Sequence, residues 1–348
     1  LWRVAQRAAL DALRRRGVRA RLAPEPPEPG PSAEDAMLEE EGAIPDERLR
    51  LIFVCCHPAV APESRAALTL RLVCGLSSAE IARAFLVPEP TLLQRLTRAK
   101  RKIAEAGVPF EVPGRAAWGD RLDAVLSTIE VAYAEAHGDA AGLGPHAGFA
   151  EEMLGLARLL VALLPGEAEV LALAATLCFA EARRPARVDD LGAMVPLAAQ
   201  DPALWDAALI GEGDRLVHRA AALGPAPPRL IQAAIHGTWC GRPSLAEPPP
   251  WCEVLALYDA LLRLRDDAVV RLNRAVALAE VAGPEAALAE VAALEAVRLD
   301  GFPAFHAVRA DLLARTGRDG PAREAAARLL ALGLPPAERL WWERRFRP

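Results

Sequence analysis

Lysine is almost missing from this chain. Among 41 basic residues in 348, only Lys100 and Lys102 are lysines, so any cationic surface is built mainly from arginine. Aromatic residues supply 5% of the positions, and the 53% hydrophobic content is carried by Ala, Leu and Val in runs broken by 30 prolines and 24 glycines. That composition favours helices over sheets and predicts an all-α protein. No run of eighteen apolar residues free of charge occurs, which leaves no membrane-spanning segment, and the first twenty residues carry arginines instead of an apolar signal core. The expected location is the cytoplasm, with no membrane partner.

The usual chemical signatures are missing too. Six cysteines (Cys55, Cys56, Cys74, Cys178, Cys240, Cys252) include no CxxC pair, and in a reducing compartment they read as buried or free thiols. No HExxH, GxGxxG or P-loop pattern occurs, and the histidines are scattered, so the sequence implies no metal and no cofactor. Cys55-Cys56-His57 invites a thiol-enzyme reading, yet adjacent cysteines point to different faces of a helix and no general base stands near. Packing against the helix of residues 65 to 74 is the expected role. Glu39-Glu40-Glu41 resembles paired catalytic carboxylates, but it lies in a Pro-, Glu- and Gly-rich stretch that reads as a flexible acidic linker. The chain is not expected to be an enzyme.

What is present is an uneven distribution of charge. The net charge is -5, but residues 1 to 110 hold 17 Lys+Arg against 14 Asp+Glu, while the rest hold 24 against 32. Residues 1 to 21 have seven arginines and one acid, residues 22 to 50 nine acids and two arginines, and residues 63 to 102 eight bases and three acids. This order suggests two nucleic-acid-facing elements separated by an acidic linker, with three plain solvated surfaces as the alternative. The sequence opens at Leu1 in the middle of an amphipathic pattern, which leads to the expectation that further sequence precedes it.

Within 76 to 103, LSSAEIARAFLVPEPTLLQRLTRAKRKI, Ser77 and Glu80 stand at capping-box spacing and start a helix whose apolar face is Ile81, Ala82 and Phe85. Pro88 ends it, and Pro90 fits the first turn of a second helix. There Leu92, Leu96, Ala99 and Ile103 form a buried stripe, beside a polar and cationic one of Thr91, Gln94, Arg95, Arg98, Arg101 and Lys102. A helix-turn-helix has this layout, its second helix entering the major groove of DNA. Thr91, Gln94 and Arg95 are the expected base-edge contacts, and Arg98, Lys100, Arg101 and Lys102 the expected phosphate contacts. A basic helix end also suits the helix dipole without any DNA, and this alternative stays open on spacing alone.

These residues resemble region 4 of bacterial extracytoplasmic-function sigma factors, carried by ESRAALTLRLVCGLSSAEIARAFLVPEPTLLQRLTRAKRKI. The wider matches DERLRLIFVCCHPAVAPESRAALTLRLV, AKRKIAEAGVPFEVP, ARRPAR (182 to 187), LYDALLRL (257 to 264) and RLNRAVALAEVAGP (271 to 284) look like the sigma-24-type subgroup with a tetratricopeptide-like C-terminal extension. The resemblance implies a factor that recruits core RNA polymerase to double-stranded promoter DNA, its second helix reading the minus-35 element. It also implies a remnant of sigma region 2 at residues 1 to 21, where Asp11, Arg14 and Arg15 match, with most of region 2 missing. Arg14 and Arg15 are thereby added to the expected DNA contacts. Residues 22 to 45 become the linker, 46 to 112 region 4, and 113 to 348 the helical-repeat domain.

That last part alternates apolar helical segments with Pro and Gly breaks. Gly283 and Gly317 are 34 residues apart, the period of a tetratricopeptide unit, each between two helical stretches. A solenoid is expected, with a groove for a peptide or protein partner and with Trp341 and Trp342 capping the last unit. Its acidic balance permits an attraction to the basic helix that salt would weaken. The rival reading is a helical-repeat interaction scaffold whose DNA-binding domain is vestigial.

Overall fold

The computed structural model describes residues 44–105, 111–138, 148–294 and 299–346. Arg14, Arg15 and the acidic linker before Ile44 lie outside them. Fifteen α-helices, a few single 3-10 turns and one isolated antiparallel bridge, Val188 to Met194, make up the described residues, with no strand among them. The all-α expectation holds.

The first four helices are α1 (Glu47–Cys55), α2 (Pro62–Leu72), α3 (Ser78–Ala84) and α4 (Glu89–Glu105). Asp46 starts α1 by accepting from the Leu49 N–H at 2.7 Å, and Pro62 opens α2, where its missing N–H costs nothing. Leu49, Ile52 and Phe53 of α1 and Ala67, Leu68 and Leu70 of α2 are fully buried.

This unit does not close on itself. Helix α5 (Gly119–Gly138) completes its core: Trp118 is 1% exposed, its ring centroid lies 5.2 Å from that of Phe53, and its Nε1 donates to the Pro113 carbonyl at 3.0 Å. Arg121 is buried and donates to the Phe53 carbonyl at 2.8 Å, while Arg65 of α2 donates to the Asp120 carbonyl at 3.1 Å. One hydrophobic core therefore runs from Ile44 to Cys240, across the boundary expected at 112/113. The sequence sets the border just before Pro113, but Trp118, five residues on, anchors the chain in the core on its other side.

Helices α6 (Phe149–Leu163), α7 (Ala168–Ala182), α8 (Ala207–Ala221) and α9 (Pro228–Cys240) extend that core. Eleven of the fifteen residues of α7 are buried, which makes it the central helix of this core. Its Phe179 sits between two helical glycines: a Cβ on Gly213 of α8 would lie 2.7 Å from the ring, and one on Gly237 of α9 at 3.1 Å. Glycine here gives up helix propensity for close approach. Arg229 at the start of α9 fastens the other side, reaching Asp123 (3.0 Å), Glu130 (3.2 Å) and Ser127 (2.9 Å) of α5 and Glu169 of α7 (2.7 Å).

The chain continues through α10 (Trp251–Leu264), α11 (Ala268–Val281), α12 (Pro284–Ala292), α13 (Pro303–Arg315), α14 (Asp319–Ala331) and α15 (Pro336–Arg345). Two helices act as two-sided links. Helix α9 puts Leu230, Ala233 and Cys240 into the first core and Ile231, Ile235 and Trp239 into a second; α11 puts Val270 and Ala277 into the second and Leu272, Ala275 and Ala279 into a third. Gly283 (φ 92°) joins α11 to α12 and Gly317 (φ 73°) joins α13 to α14, so each of the two glycines 34 residues apart stands between two helices. Trp342 is buried in the third core, edge-on to Trp341 at 4.7 Å, and both serve packing. The last helix returns to the segment after α7: Met194 N donates to the Ala337 carbonyl at 2.9 Å, and Arg344 pairs with Asp189 at 3.3 Å.

Candidate nucleic-acid interface

The capping box expected at Ser77 is present. Ser77 Oγ accepts from Glu80 N at 3.2 Å, and Glu80 Oε2 accepts from Ser77 N at 2.6 Å. Ile81 and Ala82 are buried and Phe85 half-buried, so α3 presents the expected face to the core. After Phe85 the chain turns through Leu86 and Val87. Leu86 N donates to the Arg83 carbonyl (3.1 Å) and Val87 N to the Ala82 carbonyl (3.0 Å), the two bonds of a Schellman ending. Leu86 has φ of +52° and is the only non-glycine residue with positive φ among the described residues. A left-handed backbone costs such a residue about 1–2 kcal/mol. Leu92 N then donates to the Pro88 carbonyl (3.1 Å), and α4 begins with Pro90 in its first turn.

Helix α4 packs on α2 and α3 through Leu92, Leu96 and Ala99, all buried, with Ile103 half-buried against the same core. The polar stripe faces away. Gln94, Arg98, Lys100, Arg101 and Lys102 are exposed, and Thr91 and Arg95 are half-buried at the stripe's edge. Among the described residues Arg101 pairs with Glu105 at 3.4 Å, whereas Arg95, Arg98, Lys100 and Lys102 form no ion pair. Among the described residues no acid of the C-terminal helices forms an ion pair with this face.

At about 100° per residue, Thr91, Gln94, Arg95, Arg98, Arg101 and Lys102 share one side, while Lys100 lies about 160° from its middle. Lys100 is thus not brought together with the others. Leu93 shares its flank and is 47% exposed. The basic stretch of residues 63 to 102 also narrows. Arg65 donates to the carbonyls of Val60 (2.8 Å), Pro58 (3.0 Å) and Asp120, and Arg71 to that of Leu76 (2.8 Å), so both are occupied by the fold. Sequence reasoning missed Leu86; the readable signal was leucine in AFLVPE, at a turn where glycine is usual.

The thiol reading fails on chemistry. Cys56 is fully buried with its Sγ 3.5 Å from Thr69 Oγ1 of α2, the packing role expected from sequence. Burial pushes the Cys55 thiol up to about 12 and that of Cys56 to about 11, so neither is a thiolate at neutral pH.

Among the described residues no helix is long and apolar enough to cross a membrane. Residues 50–103 match the family described as Sigma-70, region 4, which takes in α2, α3, the last two turns of α1 and nearly all of α4. Residues 121–221, from α5 through α8, match a family of unknown function, DUF6596. Uncharacterized protein R00370 of Rhizobium meliloti (strain 1021) is 42% identical over 294 residues, which cover 84% of this chain and 69% of that protein. No solved structure matches.

Proposed function

We propose, for a chain that belongs to one family with the Rhizobium protein and carries a sigma-70 region 4 domain, that α4 reads the minus-35 element of promoters. The chain then serves RNA polymerase as a sigma factor of the extracytoplasmic-function type, with the later helices as a tetratricopeptide-like extension for a peptide or protein partner. The observation that carries the reading is the cationic side of α4: exposed at Arg98 and Lys102 with Arg95 half-buried at its edge, all three without an ion pair among the described residues, and backed by a stripe locked into the core. Residues near the start of such a helix reach deepest into the groove, which gives Thr91, Gln94 and Arg95 the base edges. Arg98, Arg101 and Lys102 lie along the same side for phosphates.

Selection of bound duplexes from a random pool tests this. The parent should enrich a short motif, Gln94→Ala should change the preferred base at one or two positions, and Arg98→Ala should keep the motif while weakening every sequence alike. Failure of the parent to enrich any motif refutes base reading by α4.

A further inference from the structure

We propose that Leu86 is a positioning residue through which the C-terminal helix pairs hold the turn of the helix-turn-helix and thereby the setting of α4. The inference deepens the DNA-reading role given to α4 and rests on it for its consequence, but not for the contact itself.

Three observations converge on this turn. The first is strain: Leu86 adopts a left-handed backbone at the one place in a Schellman ending where glycine is favoured. The same ending closes α13, where Gly317 N donates to the Ala314 carbonyl and Arg318 N to that of Leu313, and there the left-handed residue is glycine. Glycine serves this backbone at position 317, so the side chain at position 86 is what the strain secures. The second observation says what it does: Leu86 is half-buried and packs against the third core, formed by residues of α11 to α15, over 180 positions later in the chain. The third is the neighbourhood. Arg83, at the end of α3, lies 4.0 Å from Glu135 of α5. Two residues on, the His137 carbonyl accepts from Arg187, and the segment after Arg187 hydrogen-bonds to α15 through Met194. A relay of contacts therefore links the end of α3 to the end of α5 and, through residues 187 to 194, to α15.

The physical consequence is a coupling. Val87 and Pro88 follow Leu86 directly and lead into α4, so the backbone angles at Leu86 set how α4 leaves α3. A side chain fixed in another core restricts those angles more than local sequence does. Anything that repacks α11 to α15 then reaches α4 through this contact.

The test uses the full chain with Leu86→Ala, Leu86→Gly and Leu86→Met. Glycine relieves the backbone but removes the contact, alanine removes the contact and keeps the strain, and methionine keeps an apolar side chain of similar reach. Hydrogen exchange of the free protein should be faster by about fivefold or more both in residues 78 to 105 and in residues 303 to 331 for the alanine and glycine variants, and parent-like for methionine. Affinity for a mixed-sequence duplex of about 30 base pairs should fall by a similar factor in the same two variants. A merely local role predicts the opposite for glycine, parent-like exchange beyond residue 268 and equal or tighter binding, and that result overturns the proposal. Faster exchange in both segments with unchanged DNA affinity overturns the positioning role while leaving the contact. If the parent binds no duplex, the DNA-reading role of α4 falls, and the exchange measurement alone decides the contact.

Discussion

Acidification from pH 7 to pH 5 should destabilise this protein, because two histidines are held neutral inside it. His236 is pushed down to about 3 by burial and by the Arg183 guanidinium, which donates to its Nδ1 at 2.9 Å. His137 is pushed down to about 4 by burial, with Arg187 adding to the effect and the hydrogen-bonded Glu181 opposing it. An unfolded chain protonates both near pH 6.5, so the unfolded state binds more protons than the folded one below that value. The stability is thus fully present above pH 6.5 and is lost as pH falls toward the folded values of about 4 and 3. For each histidine the loss between pH 7 and pH 5 is about 2 kcal/mol, on the order of 4 kcal/mol for the pair if they act independently. Glu181, held near 2 despite its burial by hydrogen bonds from His137, Arg184 and Tyr133, adds its own loss only below about pH 4.5. Urea unfolding at pH 7, 6 and 5 measures this: the midpoint should drop steadily, and His236→Asn, whose amide oxygen can still accept from Arg183, should reduce the drop by about half. A midpoint unchanged between pH 7 and pH 5 refutes the reasoning.

Further outcomes follow from single contacts. Gly213→Ala should cost about 1–3 kcal/mol, read as a lower thermal midpoint, because its Cβ would enter the Phe179 ring at 2.7 Å and both helices must move apart. Trp118→Ala should cost about 3–5 kcal/mol and loosen α1 as well as α5, since the ring packs on Phe53 from across the expected domain boundary. A parent-like unfolding midpoint would disprove that packing. Alkylation at neutral pH should label Cys252 first, because it is the exposed cysteine and the other five are buried; rapid labelling of Cys55 or Cys56 would revive the thiol reading.

The helix-turn-helix was legible because its signals are local. Ser77 and Glu80 close a box within one turn, Pro88 stops a helix by its own ring, and the spacing of Leu92, Leu96 and Ala99 fixes which side of α4 is buried. Gly283 and Gly317 were legible for the same reason, since each marks a left-handed turn at a helix end. What sequence hid depends on distant partners. Nothing local shows that Trp118 and Arg121 finish a core begun at Ile44, so the sequence sets the border just before Pro113. A chain cut after residue 114 would lose α5 and expose Phe53, which makes deletion of the C-terminal part an unsound probe of DNA binding. Counting charges likewise overstated the basic surface, because Arg65 and Arg71 are used on backbone carbonyls that only the folded chain brings near. Leu86 carries its meaning through a core more than 180 residues away.

The central claim is that α4 meets DNA with its exposed cationic side. The most direct measurement is the affinity of the full chain for a fluorescent duplex across a salt series, parent beside Arg98→Ala. Each neutralised phosphate contributes about 0.9 to the slope of log affinity against log salt, so the parent should show a steep negative slope and the variant one shallower by about that amount. A parent that binds without salt dependence, or an Arg98→Ala variant with an unchanged slope, contradicts the placement of α4 on the phosphate backbone.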